Sequence, residues 1–367
     1  MKSRTVVFAG GGTAGHIQPA LAVALHWRKA NPHDHIIFLG TSSGLETSLV
    51  PAAGFDLQLI TRVRVPRSLS FSALKTPSQL IRSILECRRI LKDAQLVIGF
   101  GGYVCAPAYI AAATRRIPTV IHEANAKPGW ANRLGALFTN SLATGIPVAK
   151  GKFSEALITG IPLREDIAAL LSKNAGIAKG EWAELQAQEK KQLGFDPKHP
   201  LLLVVGGSQG SQVINVAIEQ ARKEINSQSI SILHSVGGSN TLLASEQDYK
   251  AVPYINEMAR AYLAADLIIA RSGAITCSEV RALGKFAIFV PLAIGNGEQS
   301  VNALELVSQG NAVLVDQKSF NSNWLLDNIS AIMRRSLNNS TQVDVSDLDA
   351  AAKIVALMEH SLRDAKA

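Results

Sequence analysis

The first residues able to do chemistry are Gly10-Gly11-Gly12-Thr13-Ala14-Gly15-His16, a glycine loop ending in a histidine directly after the apolar run Val6–Ala9. The string satisfies G-x-G-x-x-G, but a dinucleotide site also needs an acid about 20 residues on, at the end of the second strand. That strand ends Phe38-Leu39-Gly40-Thr41, with no acid in place. No Lys-Ser/Thr follows the glycines, so the loop is not a Walker motif either. What remains is a loop without side-chain bulk, ahead of a helix expected to begin near Pro19. A helix N-terminus disfavours protonation of His16 and keeps it able to accept a proton from a hydroxyl nucleophile. The alternative is a histidine that only caps its own loop.

Two further segments follow apolar strands of the same half. Gly101-Gly102-Tyr103 comes after the strand ending at Gly99, and paired glycines let a second backbone loop approach the same crevice. His122-Glu123-Ala124-Asn125 follows Pro118–Ile121 and leads to Pro128-Gly129. Asn125 suits a hydrogen bond to sugar or phosphate; alternatively, Glu123 and Asn125 only cap the helix leading to Asn132-Arg133.

The second half repeats the layout. Gly206-Gly207-Ser208-Gln209-Gly210-Ser211 follows Leu201–Val205, and Ser208 with the free N–H groups of a helix start suits a diphosphate. Arg271-Ser272-Gly273-Ala274-Ile275-Thr276 follows Leu267–Ala270, with Glu279 on the helix beyond. Thr276 and Glu279 share a helical face, where the acid could hold both ribose hydroxyls. They could equally form a Thr-x-x-Glu capping box, and composition does not choose. Gln299 and Asn302, three apart at a helix start after Gly295-Asn296-Gly297-Glu298, suit sugar hydroxyls. No His/Cys/Asp cluster has metal-ligand spacing, and Asp347-Leu348-Asp349 lies in the tail. A diphosphate would be neutralised by helix ends and by Arg164 or Arg271.

Positioning these loops takes short buried strands alternating with helices. Apolar runs at Val6–Ala9, His35–Leu39, Leu96–Gly99, Pro118–Ile121 and Ala156–Thr159 are followed by a second series from Leu201–Val205 to Ala312–Val315. Such continuous apolar strands imply parallel sheets covered on both faces. The 367 residues, 47% hydrophobic and 18% charged, fit two globular α/β domains, with a break at Gly160-Ile161-Pro162. Each would carry a glycine loop after its first strand, with a ligand between them. Residues 170–198 read as a surface helix plus loop, and Ser346-Asp347 as the cap of a tail helix. Cys87, Cys105 and Cys277 have no paired spacing, which argues against disulfides or a zinc knuckle. Neither a signal peptide nor a membrane span is read, so a cytoplasmic or membrane-attached protein is expected.

The formal charge of +8 is concentrated. Between Thr61 and Asp93, Arg62, Arg64, Arg67, Lys75, Arg82, Arg88, Arg89 and Lys92 face only Glu86 and Asp93. Phe71, Leu74, Leu80, Ile81, Ile84 and Leu85 lie among them, a mix that suits an anionic membrane surface. Some of these apolar residues must instead cover the sheet. Nucleic acid would leave both glycine loops unexplained, and no aromatic-rich strand offers a stacking surface.

In this order, the segments resemble the undecaprenyl-diphospho-muramoylpentapeptide β-N-acetylglucosaminyltransferases of peptidoglycan synthesis. The resemblance runs through G-G-T-x-G-H at Gly11–His16, G-G-Y at Gly101–Tyr103, and H-E-x-N-x-x-P-G at His122–Gly129. It continues through G-x-P-x-R at Gly160–Arg164, G-G-S-x-G at Gly206–Gly210, R-x-G-A-x-T-x-x-E at Arg271–Glu279 and Q-x-x-N-A at Gln299–Ala303. Ala14, Ala124, Ile161 and Glu298 depart from the family's usual residues; alanine at 14 requires a negative φ.

The resemblance implies an α/β GT-B fold, two Rossmann-like parallel-sheet domains facing each other across a deep cleft. An N-terminal acceptor- and membrane-side domain would span 1–162 and a donor domain 163–343, with helix 344–367 returning to the first. It implies transfer of N-acetylglucosamine from UDP-N-acetylglucosamine to the C4 hydroxyl of lipid I, by an inverting single displacement that forms β-1,4-linked lipid II. His16 would be the base. Thr13, Ala14, Gly15, Asn125, Arg164, Ser208, Ile255, Ala274, Ile275, Thr276, Glu279, Gln299 and Asn302 would contact the donor. Gly11, Gly12, Gly101, Gly102 and Tyr103 would lie on the acceptor side, with Arg62, Arg64, Arg67, Phe71, Leu74, Lys75, Arg88 and Arg89 facing the membrane. No tightly bound cofactor is implied, though a free divalent cation could assist. Other cell-wall synthesis proteins are expected partners, in work serving cell shape and division. The rivals are a GT-B enzyme with another UDP-sugar and a UDP-sugar epimerase; a nicotinamide dehydrogenase lacks its acid.

Overall fold

The computed structural model describes residues 3–63, 76–174, 179–293, 297–339 and 343–365. The chain forms two compact units, Met1–Arg164 with Asp347–Ala367, and Glu165–Ser346. The first contains β1 (Thr5–Ala9), α1 (Ala14–Ala30), β2 (His35–Gly40), α2 (Glu46–Ala52), β3 (Asp56–Leu59), α3 (Thr76–Ile90), β4 (Ala94–Gly99) and α4 (Cys105–Arg115). It continues with β5 (Thr119–Glu123), α5 (Trp130–Gly135), β6 (Leu142–Thr144) and β7 (Leu157–Ile158). The second contains α6 (Glu165–Lys173), α7 (Lys179–Gln192), β8 (Leu201–Val205), α8 (Gln212–Ser227), β9 (Ser231–Ser235), β10 (Tyr249–Val252) and α9 (Met258–Ala264). After these come β11 (Leu267–Ala270), α10 (Ala274–Ala282), β12 (Phe286–Phe289), α11 (Glu298–Asn302), α12 (Leu304–Ser308), β13 (Ala312–Leu314) and α13 (Ser322–Leu337); the tail helix α14 (Ala350–Asp364) returns to the first unit.

Every strand pair is parallel, in the order β3-β2-β1-β4-β5-β6-β7 in one sheet and β10-β9-β8-β11-β12-β13 in the other. The central strands are buried on both faces because their sequences are unbroken apolar runs, such as Val6-Val7-Phe8-Ala9 and Leu201-Leu202-Leu203-Val204. Strand order reverses between β1 and β4 and again between β8 and β11. At such a switch point the loops leaving the C-terminal edge splay to opposite faces and leave a crevice. The loops after β1, β4, β8 and β11 are therefore placed by topology where ligands bind.

Helix α14 packs Ile354, Val355, Met358 and Leu362 into the cluster that holds Val23, Ala24 and Trp27 of α1. Burying each such side chain contributes about 1.5–3 kcal/mol, enough to anchor the tail. Its N-cap is Asp349, not the expected Ser346-Asp347. Asp347 instead accepts from the Ile161 N–H at 3.1 Å. α1 also begins five residues before its expected start at Pro19, which lies inside the helix. A proline there removes only the bond to the carbonyl four residues back, and apolar packing by Ile17, Ala20 and Leu21 offsets that loss. Ala14 consequently has helical backbone and tolerates its Cβ.

Candidate functional site

In the first unit the structure gathers the expected loops around His16. The imidazole is half-buried in the first turn of α1. Its Nδ1 lies 3.2 Å from Thr13 Oγ1, and its backbone N–H donates to the Thr13 carbonyl at 3.1 Å. The loop after β4 closes over the ring. Gly101 and Gly102 have φ of +97° and +88°, a region open to glycine. A Cβ at Gly101 would stand 2.9 Å from His16 Cδ2, and one at Gly102 would overlap the Gly11 carbonyl oxygen. The paired glycines thus satisfy both a backbone angle and a close approach. Beneath them the Cys105 thiol donates to the Ala9 and Gly101 carbonyls at 3.2 and 3.1 Å. Burial pushes that thiol up to about 11, so it acts as a neutral tie between β1 and the loop. Tyr103 is exposed, and Gly12, Thr13, Ala14 and Gly15 range from half-buried to exposed.

The histidine is held below its ordinary pKa. Desolvation is the largest cause, opposed by the charge of Glu123, a hydrogen bond to the Gly11 carbonyl and the charge of Glu46. The direction matches the reading of a neutral base; the leading cause is burial, whereas the sequence pointed to the helix end.

The loop after β5 is built around Glu123, which is buried. Its Oε1 accepts from the Asn125 backbone N–H at 3.0 Å and from Asn125 Nδ2 at 2.9 Å. Its Oε2 accepts from the Gly129 N–H at 2.9 Å and from Asn132 Nδ2 at 3.0 Å. Tyr109 in turn donates to Asn132 Oδ1 at 2.8 Å. The Asn125 amide nitrogen thus helps to shape the turn through one of its two hydrogens. The capping alternative for Glu123 was close to the mark, since its carboxylate secures the start of α5 at Gly129. His122 is buried and held below its usual pKa, first by burial; its Nε2 lies 3.1 Å from the Gly160 carbonyl. With Asp347 on the N–H of the same peptide, this pins the segment running to Arg164, which is half-buried.

The second unit offers two helix starts at its own switch point. α8 begins beyond the glycine loop at Gln212, capped by Ser211, so Ser208 sits in the loop ahead of the helix. The loop is held by Asn240, whose Nδ2 donates to the Gln209 and Val236 carbonyls at 3.0 and 2.8 Å. Behind it, burial pushes His234 down to about 4. Asn215 Nδ2 donates to the Val236 carbonyl at 2.9 Å, which leaves its Oδ1 to accept from His234 Nε2 at 3.1 Å. His234 Nδ1 then accepts from the Tyr249 hydroxyl at 3.1 Å, a satisfied core histidine.

α10 starts at Ala274 with Gly273 as N-cap, which leaves the N–H groups of Ala274, Ile275 and Thr276 without partners inside the helix. Thr276 is thus the third helical residue, and the capping-box alternative is ruled out. Glu279 is buried and its Oε2 accepts from the Tyr262 hydroxyl at 3.0 Å. One of the two oxygens expected to serve a ribose is therefore already engaged within the protein. Arg271 donates through Nη1 to the Val290 and Pro291 carbonyls at 2.9 and 3.0 Å, so its guanidinium braces the segment that follows β12. Gln299 Oε1 accepts from the Leu292 N–H at 2.9 Å and Asn302 Nδ2 donates to the Ser272 carbonyl at 3.3 Å. Both amides thereby join neighbouring loops, each through one of its two polar atoms. Ile255 is half-buried in the loop between β10 and α9.

Of the basic segment, Arg64, Arg67, Phe71, Leu74 and Lys75 lie outside the described residues. Arg62 is exposed and donates to Ser43 Oγ at 2.9 Å; Arg88 donates to Thr114 Oγ1, and Arg89 is exposed. On α3, Ile81 and Leu85 are exposed at 59% and 58%, one turn apart and beside exposed Arg82. Ile84 instead packs on the core. Among the described residues no helix is long and apolar enough to cross a membrane, and no group of three or more His, Cys, Asp or Glu could hold a metal.

Two parallel α/β units, each with a glycine loop at its switch point, and a neutral histidine in one of them, define a nucleotide-sugar glycosyltransferase of GT-B fold. The chain belongs to glycosyltransferase family 28: the family's N-terminal domain matches residues 6–144 and its C-terminal domain residues 201–358. It is 46% identical over 324 residues to a Mycolicibacterium smegmatis relative, covering 85% of this chain and 81% of that one. It is 42% identical over 339 residues to one from Mycolicibacterium vanbaalenii, covering 89% and 82%. Both are named UDP-N-acetylglucosamine–N-acetylmuramyl-(pentapeptide) pyrophosphoryl-undecaprenol N-acetylglucosamine transferase. The solved structure of Acinetobacter baumannii MurG superposes with a TM-score of 0.68 at 25% identity, over 98% of this chain and 100% of that one.

Glu46, Asp347 and Tyr262 support the site without standing out as functional residues in the sequence. Most of their partners lie far along the chain, and the sequence offers only two local signs: Glu46 at a helix start just after Gly44, and Asp347 before the tail helix.

Proposed function

We propose that this chain transfers N-acetylglucosamine from UDP-N-acetylglucosamine to lipid I, forming lipid II in peptidoglycan synthesis. The observation that carries this is whole-chain similarity: relatives named for the reaction are 41–46% identical over 85–95% of the chain. The finer reading places His16 as the base that takes the proton from the muramoyl C4 hydroxyl as its oxygen attacks the anomeric carbon. UDP departs and the configuration inverts to a β-1,4 linkage. The free N–H groups at the start of α10, with those ahead of α8, receive the charge growing on the diphosphate. Glu279 takes a ribose hydroxyl with the oxygen that Tyr262 does not engage. Gln299 and Asn302 shape the sugar pocket by fixing its loops. Arg164 and Asn125 complete the donor contacts, and Tyr103 stands on the acceptor side. No tightly bound cofactor enters this scheme; omitting and adding a free divalent cation tests whether one assists.

The acceptor's lipid anchor brings the enzyme to the cytoplasmic face of the membrane, through the α3 face bearing Ile81, Leu85, Arg82 and Arg89 together with the preceding basic segment. There it would work with other cell-wall synthesis proteins in maintaining cell shape and division. Purified protein given radiolabelled UDP-N-acetylglucosamine and a lipid I analogue is expected to form the β-linked disaccharide, and not to do so with UDP-glucose. Epimerised donor without transfer would refute the reading.

A further inference from the structure

A second acid stands behind the glycine loop, and no step described above uses it. Glu46 opens α2 and is completely buried. Its Oε2 accepts from the Gly12 N–H at 2.9 Å; its Oε1 accepts from the Thr41 N–H at 2.8 Å and the Thr41 hydroxyl at 3.1 Å. One carboxyl group therefore bridges the turns leaving β1 and β2, which are adjacent parallel strands.

Room for it has been cleared on three sides. A Cβ at Gly40 or Gly44 would collide with the Glu46 side chain, and one at Gly11 would stand 3.0 Å from its Oε1. Burying an acid carries a desolvation cost that fold stability alone rarely requires; an apolar side chain with repacked loops would serve stability as well. The direction of the hydrogen bond supplies the purpose. Gly12 N–H and Gly11 C=O belong to one peptide unit, and in a trans peptide they point in opposite directions. With the N–H held by Glu46, the carbonyl is turned the other way, towards the His16 ring: a Cβ at Gly102 would overlap the Gly11 carbonyl oxygen and stand 3.3 Å from His16 Nδ1, and this carbonyl is among the groups that raise the imidazole pKa.

We propose that Glu46 is a positioning residue for His16, acting through the Gly11–Gly12 peptide. Glu46 fixes the peptide, and the peptide carbonyl takes the N–H of one ring nitrogen. In the neutral imidazole the other nitrogen then carries the lone pair that receives the acceptor's proton. Thr41 holds the far oxygen of Glu46 so that the carboxyl cannot rotate. The inference rests on the reading of His16 as the base. It extends that reading to an acid in α2, 30 residues further along the chain and on the hidden side of the loop.

The test is Glu46→Gln in the full-length protein. The amide keeps the size of the side chain but presents N–H where an acceptor is needed, and it removes a charge that raises the His16 pKa. The kcat is expected to fall roughly 100-fold, the cost of a small misplacement of a reacting group, with the donor KM nearly unchanged. In a histidine-labelled NMR titration, the His16 pKa should move further down and the tautomer ratio should change. Adding Glu46→Gln to His16→Ala should bring no further loss, because groups acting as a unit are not additive. If the His16 titration and tautomer are the same with and without Glu46→Gln, the positioning role is refuted, whatever His16→Ala does. If His16→Ala retains turnover while Glu46→Gln shifts the imidazole, the coupling stands and the base assignment is what fails. Should Glu46→Gln not fold, Thr41→Val removes one of the three bonds to the same carboxyl. It is then expected to lower kcat a few-fold with a smaller shift of the same sign, and an unmoved His16 resonance would overturn the proposal.

Discussion

The two glycine loops share a plan and differ in what stands behind them. Each follows the first strand of its sheet in the unit, at the point where strand order reverses, and each runs into a helix. Behind the loop after β1 lie two buried acids, Glu46 and Glu123, and an imidazole within the field of both. Behind the loop after β8 lie neutral groups: Asn215, Asn240 and a histidine whose burial keeps it uncharged near neutrality. Acids that face a histidine can hold and tune a proton acceptor, whereas neutral amides only hold a backbone shape. The first arrangement suits proton transfer, and the second suits binding a ligand that carries its own negative charge. Under the proposed function, the same strand–loop–helix scaffold would serve two tasks, separated by the charge of the groups packed behind it.

That contrast is broken most directly by His16→Ala. General-base assistance contributes roughly 100- to 10,000-fold, so kcat is expected to fall by about 1,000-fold while UDP affinity and the melting temperature hold. Because the His16 pKa lies below its ordinary 6.5, the ring stays neutral, and active, as pH falls through that value. The acid limb of kcat/KM in the unmodified enzyme is accordingly expected below pH 6.5, and it should vanish in the variant. A variant with near-normal turnover, or an acid limb that survives it, would remove the base from this loop.

The next largest effect is expected in the second unit and in a different constant. Glu279→Gln keeps a partner for the Tyr262 hydroxyl but weakens a charge-assisted hydrogen bond to a ribose, worth about 1.5–3 kcal/mol at most. The Kd for UDP measured by calorimetry should rise roughly 10-fold, with kcat at saturating donor little changed. If kcat falls and Kd does not, Glu279 belongs with the chemistry and the division of labour between the loops is wrong.

What the sequence made legible follows from how each feature is encoded. Buried parallel strands are written as unbroken Val/Ile/Leu runs, so β1, β4, β8, β11 and β12 could be placed, and with them the loops at both switch points. β3 (Asp56-Leu57-Gln58-Leu59), β6 and β10 were not seen, being short and, in β3, largely exposed edge residues without a periodic signal. Pro19 reads as a helix start in the sequence, because its tolerance inside α1 depends on tertiary packing. The histidine and the glycines were legible because their residue types are unusual after a strand. The atoms that hold them were not. Glu46 reaches a peptide 34 residues away, and Arg271, Gln299 and Asn302 turned out to serve backbone carbonyls and N–H groups. A side chain's type announces that it can hydrogen-bond, but the fold decides to what.

The smallest effect, and the most selective one, is expected from the neutral brace of the second loop. Asn240 ties the segment after β9 to the glycine loop through two hydrogen bonds from one amide nitrogen. Asn240→Ala removes both and leaves the Gln209 and Val236 carbonyls to find other donors; Val236 keeps its bond from Asn215. With one carbonyl already served and the other at an exposed loop, the cost should be near the net worth of a single hydrogen bond, about 1 kcal/mol. Expressed as loosened loop geometry, this should raise the UDP Kd a few-fold and leave kcat at saturating donor intact. The comparison with Glu46→Gln is then direct. Both substitutions loosen a glycine loop from behind, yet one is expected to act on turnover and the other on affinity. A fall in kcat from Asn240→Ala comparable to that from Glu46→Gln would show that loop rigidity, not the charge behind the loop, separates the two.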